Sequence, residues 1–256
     1  MALNPRLSFL KTLAGRQRGP NSFYMNSFPP DGIAVVTGGS GGIGAALVAA
    51  LRDMPVFTDV VSLSRQTGPS LDITSEPSIA AAVKFLSGAK IRLVIDATGF
   101  LHGDGFAPEK SLREISAAHM QKSFAINAIG PALLMKFLLP LLPRDRKSVF
   151  ATLSARVGSI GDNNIGGWYS YRAAKAALNQ LVHTAAIELQ RTRPQAICVA
   201  LHPGTVATGL SAPFAKDGLH VRAPEEAARD LLAVIEGLSP AQSGGFFDYR
   251  GVEVAW

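Results

Sequence analysis

Residues 33–44 read IAVVTGGSGGIG, and the next eight, AALVAALR, continue straight into a helical pattern. Five apolar or β-branched residues end at Thr37, a glycine-rich bend follows, and no linker separates the bend from the helix. Glycine permits positive φ and close approach of backbone to a ligand, while the opening of a helix offers unbonded N–H groups to an anion. A buried strand, this bend and a helix, at the first strand-to-helix junction of the chain, predict a phosphate cradle for a dinucleotide. Gly38, Ser40, Gly42, Ile43 and Gly44 would form it.

Working outward from that junction, short β-branched runs alternate with helical stretches to the end of the chain. The runs are DVVSLS (59–64), SLDI (70–73), IRLVIDA (91–97), KSVFATLS (147–154), AICVALH (196–202) and GGFFDY (244–249). Runs that are apolar throughout are buried on both faces, which implies a parallel sheet covered by helices. A single doubly wound α/β domain, a Rossmann fold with helices on both faces, is therefore predicted over 31–256. Ligands of such sheets bind outside the carboxyl ends of the strands, where the motifs below also fall.

Hydrophobic residues make up 47% of the 256 and charged ones 17%, enough apolar material for a large core. The longest apolar run, 131–142, is interrupted by Lys136 and Pro140 and is shorter than a bilayer span, so a soluble protein with no membrane span is expected. The formal charge of +6 invites a nucleic-acid reading. However, Arg6, Lys11, Arg16 and Arg18 precede Asp31 with no acid among them, and removing those four charges leaves +2. A basic leader is not a basic groove, and nucleic-acid binding is not expected. Residues 1–30 lack the apolar core of a secretory signal; they are expected to be a disordered extension, or an upstream start with Met25 as the alternative beginning.

The single cysteine, Cys198, excludes an internal disulfide, and its apolar neighbours predict a buried, inert thiol. A reducing, cytoplasmic setting is expected. His102, His183, His202 and His220 show no ligand spacing, so no metal site is expected.

The second strand ends at Ser64-Arg65, about twenty residues beyond Gly44, where an acidic side chain would hydrogen-bond the ribose of NAD. A hydroxyl and a guanidinium stand there instead, suited to a 2′-phosphate, which predicts NADP(H) over NAD(H). Asp72 falls beside the expected adenine position; a loop cap is the equal alternative.

The turn TGGSGGIG, Asn127 within FAINAIGP, Tyr171-Arg172-Ala173-Ala174-Lys175 and His202-Pro203-Gly204 together resemble the short-chain dehydrogenase/reductases in order and spacing. More narrowly, RVGSIGDNNIGGWYSYRAAKAALN (156–179) and GGFFDYRG (244–251) resemble the C-factor and sniffer-type carbonyl reductase branch. The resemblance implies an oxidoreductase acting on a carbonyl or secondary alcohol. It also implies cofactor contacts from Ala97, Thr98, Gly99, Pro203, Gly204, Val206 and Thr208, and a homodimer or homotetramer built on the long helices around Asn127 and Tyr171.

Tyr171 and Lys175 are four apart and share a helix face. A free phenol, with a pKa near ~10, is a poor base at neutral pH, and a neighbouring ammonium is expected to lower it toward working range. Tyr171 could then pass a proton to or from a substrate oxygen. The resemblance implies for Lys175 a bond to the nicotinamide ribose, and for Asn127 a water that relays protons to Lys175.

The catalytic serine of the resembled family has a Ser-x-x-Gly spacing, and counting back from Gly158 that position is Ala155. Ser154 is one residue early, and side chains alternate across a strand. A bulge could re-aim Ser154, and Ser159 on the following loop is a rival. Losing one such donor costs on the order of a hundred- to a thousandfold in rate. Weak or specialised reductase activity, with Ser154 as candidate donor, stands against a non-catalytic dinucleotide-binding signalling protein. Asp96-Ala97-Thr98-Gly99 also departs from the Asn-Asn-Ala-Gly of the resembled family, which suggests a structural role for Asp96. Substrate contacts are expected from 156–168 and 205–219, with Trp168 and Phe214 as apolar wall.

Overall fold

The computed structural model describes residues 25–214 and 221–256. Its centre is a six-stranded parallel sheet in the order β2-β1-β3-β4-β5-β6. The strands are β1 (Gly32–Thr37), β2 (Phe57–Leu63), β3 (Ile91–Asp96), β4 (Ser148–Leu153), β5 (Ala196–His202) and β6 (Phe246–Asp248). Every residue of β1, β3 and β4 is buried, as continuous apolar runs require. Alternation along them feeds two cores. Val35, Val94 and Phe150 face one layer; Ala34, Val36, Leu93, Ile95 and Ala151 face the other.

Helices α1 (Gly42–Arg52) and α6 (Pro224–Gly237) cover the second core, with Leu47, Leu51, Leu231 and Ile235 fully buried. The first core is covered by α2 (Glu76–Phe85), α4 (Gly130–Leu138) and α5 (Tyr169–Thr192). The chain runs from β1 outward to β2 and then crosses back to β3. This reversal opens a crevice at the carboxyl ends of β1 and β3, where an open α/β sheet places its ligand.

Three expectations change. SLDI (70–73) is not a sheet strand: one bridge joins Ser64 to Ser70. The reason is local, because the Asp72 N–H donates to Ser78 Oγ at 3.0 Å and the Asp72 carboxylate accepts the Thr74 N–H at 2.9 Å. These side chains satisfy backbone that a ladder would otherwise pair.

Between β3 and β4, the sequence 123–142 (SFAINAIGPALLMKFLLPLL), one of the helical stretches expected between strands, is broken. It comprises the end of α3 (Ala117–Phe124), a π turn (Ala125–Ile129), α4 and a short 3-10 turn (Leu139–Leu141). Together Ala117–Leu141 is long and apolar enough to cross a bilayer, its most apolar 18 residues having a mean hydropathy of 1.7, which the 131–142 run alone did not reveal. Leu134, Met135 and Leu138 nevertheless pack into the sheet's core.

The packed domain also begins before residue 31. Met25 and Phe28 are buried, Phe28 meets Phe57 edge-on at 5.6 Å, and the Ser27 N–H donates to Glu236 at 2.8 Å. Residues 1–24 of the expected extension, 215–219 of the expected substrate loop, and His220 lie outside the described residues.

Candidate active site

The glycine bend lies against the end of β3. Gly38 has φ 72°, and a Cβ there would meet the Ala97 carbonyl at 3.0 Å, so this close approach admits only glycine. A Cβ on Gly41 would touch only the Gly38 oxygen, at 3.6 Å, and would stand in the crevice itself. Helix α1 starts on Gly41 with no side-chain cap and no acid in its first turn, leaving its N–H groups to an anion. Gly42, Ile43 and Gly44 form that turn, and Gly42 is pressed against Thr208, whose methyl would lie 2.6 Å from a Cβ added at Gly42.

From this bend runs a crevice of about 710 Å³. Of the residues singled out in the sequence, Gly38, Ser40, Ser64, Arg65, Asp72, Ala97, Thr98 and Gly99 line it. Leu71, Ile73, Ala125 and Ile126 line it too, and sequence reasoning missed them. The first two alternate around Asp72, a two-residue signal; the last two carried none. Arg65 is exposed, and the Asp72 carboxyl is held below the usual carboxylate range by its bonds from Thr74, with Arg65 adding to the effect. This uncapped helix start, open glycine wall, apolar slot and arginine fit a dinucleotide phosphate at one end and an adenosine at the other.

Beyond the crevice, Asn127 lies in the π turn, a local geometry common at functional sites. Its side chain clamps the backbone of one residue: Oδ1 accepts the Phe100 N–H at 3.0 Å and Nδ2 donates to the Phe100 carbonyl at 2.7 Å. Nδ2 also donates to Ser123 Oγ, so both amide hydrogens are engaged.

Asp96 is wholly buried at the end of β3 and accepts from Thr37 Oγ1 (2.8 Å), Thr98 N (3.1 Å), Thr98 Oγ1 (2.6 Å) and Thr152 Oγ1 (2.8 Å). It thereby clasps the ends of β1, β3 and β4 together.

Tyr171 and Lys175 are both buried on α5. Lys175 Nζ lies 5.8 Å from the centroid of the Tyr171 ring and donates to the Leu153 carbonyl at 2.7 Å, at the end of β4. Burial lowers the Lys175 pKa to about 8, opposed by the Asp96 carboxylate. The expected lowering of Tyr171 is reversed: burial pushes the phenol above its ordinary value. In the free site, burial of the phenol outweighs the nearby ammonium, which is bonded to the Leu153 carbonyl.

Ser154 does not face this pair through any bond. Its Oγ donates to Asn179 Oδ1 at 2.7 Å, two helical turns along α5 from Tyr171, and the side chain is buried. Ser159 is buried as well, its hydroxyl accepting the Asp162 N–H at 3.0 Å. Ala155 is extended and half-buried between them.

On the far side, Pro203 and Gly204 follow β5, where the Pro203 carbonyl accepts from Arg222 at 3.2 Å and Gly204, at φ 78°, abuts the Tyr249 ring. Val206 is buried and bridges to Arg222, while the Thr208 N–H donates to Ser211 Oγ at 3.2 Å. Burial pushes His202 down to about 4, so its ring is neutral at physiological pH. Trp168 meets Tyr171 edge-on at 6.3 Å and Phe214 at 5.3 Å; Phe214 in turn meets His102 at 5.5 Å. Cys198 is sealed in the sheet, its thiol pushed up to about 12 by burial.

A family model described as Enoyl-(Acyl carrier protein) reductase matches residues 43–230. The chain is 40% identical over 147 residues to the C-signal of Myxococcus xanthus, a match covering 57% of this chain and 84% of that protein. It is 32% identical over 200 residues to the 1-hydroxy-2-glutathionyl-2-methyl-3-butene dehydrogenase of Rhodococcus sp. (strain AD45), covering 77% and 84%. Among solved structures, the NADPH-bound carbonyl reductase from chicken fatty liver matches with a TM-score of 0.76 at 26% identity, covering 90% of this chain and 100% of that one.

Proposed function

The chain belongs to the short-chain dehydrogenase/reductase family, a family of oxidoreductases, and on that premise we propose that it works with NADP(H) on a carbonyl or secondary alcohol, Tyr171 moving the proton. The observation that carries this reading is the buried Tyr171–Lys175 pair at the end of β4, one strand along from the crevice wall. When bound there, the nicotinamide supplies or accepts the hydride.

The raised pKa of Tyr171 keeps its proton in place until a substrate oxygen gains negative charge, which suits a proton donor in the reductive direction. Lys175 then stands near enough for its charge to favour the phenolate left behind. Asn127 fixes the backbone on both sides of Phe100, and so the wall of the crevice, rather than donating to substrate. Ser64 and the exposed Arg65 support NADP(H) over NAD(H) through charge-assisted bonds to a 2′-phosphate. Trp168, Phe214 and His102 offer the substrate an aromatic wall. Exposed Ile129, Leu181 and Ile187, on the π turn and α5, support a homodimer or homotetramer. The single sealed cysteine is consistent with a cytoplasmic setting.

The test is NADPH oxidation across a panel of aldehydes and ketones, with Tyr171→Phe beside the natural chain. Loss of a positioned proton donor costs about a hundred- to ten-thousandfold, with NADPH affinity retained. Turnover that survives the substitution removes Tyr171 from the mechanism.

A second reading, a nucleotide-binding signalling protein, is favoured by one observation: Ala155 offers no hydroxyl, and that of Ser154 is committed to Asn179. NADPH binding without turnover on any carbonyl, and none gained by Ala155→Ser, would select it.

A further inference from the structure

We propose that Glu109 is a positioning residue for Tyr171: its buried carboxylate holds the first turn of α5 in place. The inference rests on the proton-donor reading of Tyr171 above. Glu109 lies in the loop between β3 and α3 and is 1% exposed. One carboxylate oxygen accepts the Ser170 N–H at 3.2 Å; the other accepts the Ser170 hydroxyl and lies 3.0 Å from His119 Nδ1 on α3. Its backbone carbonyl accepts the Trp168 N–H at 2.5 Å. One residue, distant in sequence, thus takes three hydrogen bonds from the two residues that flank Tyr169, immediately ahead of Tyr171.

Helix α5 needs this help. It starts on Trp168, whose indole cannot accept a hydrogen bond, and its first turn holds no acid. Its opening N–H groups therefore lack a local partner. A carboxylate brought in from another segment satisfies one of them and complements the positive end of the helix. The chain is bent to reach it: Gly166, Gly167 and Trp168 are three consecutive left-handed residues, with φ of 68°, 66° and 53°. A Cβ on Gly167 would lie 3.4 Å from the Glu109 carbonyl, so the approach is close.

A bare carboxylate at 1% exposure would be costly, and the bonds from Ser170 and His119 are what make it tolerable. His119 carries the tie further. Its ring stacks on Phe106 at 5.0 Å and 9°, in the hairpin closed by the Gly103–Phe106 bridge, whose Asp104 lines the crevice. Glu109 therefore fastens the crevice rim, α3 and the start of α5 to one another. A small shift of the Tyr171 hydroxyl against a substrate oxygen is enough to lose catalysis while nucleotide binding, which lies at α1, persists.

The experiment compares the full chain with Glu109→Ala, Glu109→Gln and Ser170→Ala. It measures amide hydrogen exchange, NADPH affinity by fluorescence, and kcat and KM for 4-nitrobenzaldehyde or whichever panel carbonyl the natural chain reduces. For Glu109→Ala, exchange in the first turn of α5 is expected to accelerate at least about tenfold. Exchange in β1 and α1, NADPH affinity and KM should hold within about twofold, and kcat should fall at least about tenfold. Glu109→Gln, which keeps an acceptor, should recover part of both losses. Should Glu109→Ala fail to fold, Ser170→Ala carries the same comparison with the carboxylate in place.

Acceleration spread evenly over the chain, or an unchanged kcat in a folded variant, overturns the positioning role. If the natural chain reduces no carbonyl, the proton-donor reading itself fails and this inference falls with it, a result distinct from turnover that ignores Glu109.

Discussion

Ser154 Oγ donates to Asn179 Oδ1 at 2.7 Å, which turns the hydroxyl just past β4 into the packing against α5. Ala155 is extended, so its methyl points the opposite way. A hydroxyl at 155 would therefore stand where none now does. Ala155→Ser is expected to raise kcat for carbonyl reduction by at least about tenfold, the lower part of what one oxyanion-type donor supplies, with NADPH affinity unchanged. Ser154→Ala is expected to lose about 1 kcal/mol of stability and to leave kcat within about twofold. The reverse pattern, an inert Ala155→Ser and a crippled Ser154→Ala, would make Ser154 the donor after all.

Lys175 makes the site sensitive to alkaline pH. Its pKa is lowered to about 8, against 10.5 in the unfolded chain. The ammonium is thus lost from the folded protein first, and kcat/KM for reduction is expected to fall above about pH 8. Asp96 opposes that loss, so Asp96→Asn should move the falling limb to lower pH. The sign for stability follows from the same shift. Between pH 8 and 10.5 the unfolded chain binds the extra proton, so the burden of burying Lys175 is full below pH 8 and relieved toward 10.5. Lys175→Met should therefore gain stability relative to the natural chain at pH 7, and the gain should shrink by pH 10. A pH-independent difference in denaturant midpoint would contradict the shift.

Arg65 is expected to set the choice of nucleotide. A charge-assisted contact to a 2′-phosphate contributes about 1.5–3 kcal/mol, roughly a tenfold to hundredfold ratio in affinity. Arg65→Gln should reduce the NADPH-over-NADH affinity ratio by that factor while NADH binding changes little. Fluorescence titration with both nucleotides decides it, and an unchanged ratio moves the phosphate contact elsewhere.

What the sequence made legible was local. The glycine bend is one uninterrupted stretch, and Tyr171 and Lys175 meet because four residues make about one helical turn. What stayed hidden was held by distant partners. The direction of Ser154 depends on Asn179, the clasp at Asp96 on threonines of three segments, and the start of α5 on Glu109. SLDI misled for a related reason: its composition suits a strand, but Ser78, on the next helix, takes the Asp72 N–H that a ladder would have used. Likewise Met25 and Phe28 sit in a stretch whose polar, proline-rich character masked two core side chains.

At the opposite end of the sheet from the site, Arg92 is wholly buried and holds Asp31 and Asp145, each at 2.9 Å. Its bonds hold both carboxyls below the usual carboxylate range, although both acids keep considerable solvent exposure. Because the folded pKa of each lies below the unfolded value of 3.8, the stabilisation is full above that value and is lost as pH falls through and below it. Arg92→Met is expected to cost about 2 kcal/mol at pH 7, the range of hydrogen bonds to charged groups. The gap between the two proteins should narrow as pH falls from about 4 toward 2.5, because the unfolded chain takes up protons there that the arginine-held carboxylates of the natural folded protein resist. Urea melts at pH 7, 4 and 2.5 measure this directly. A gap of constant size would show that Arg92 contributes through packing of its aliphatic stem rather than through its charge.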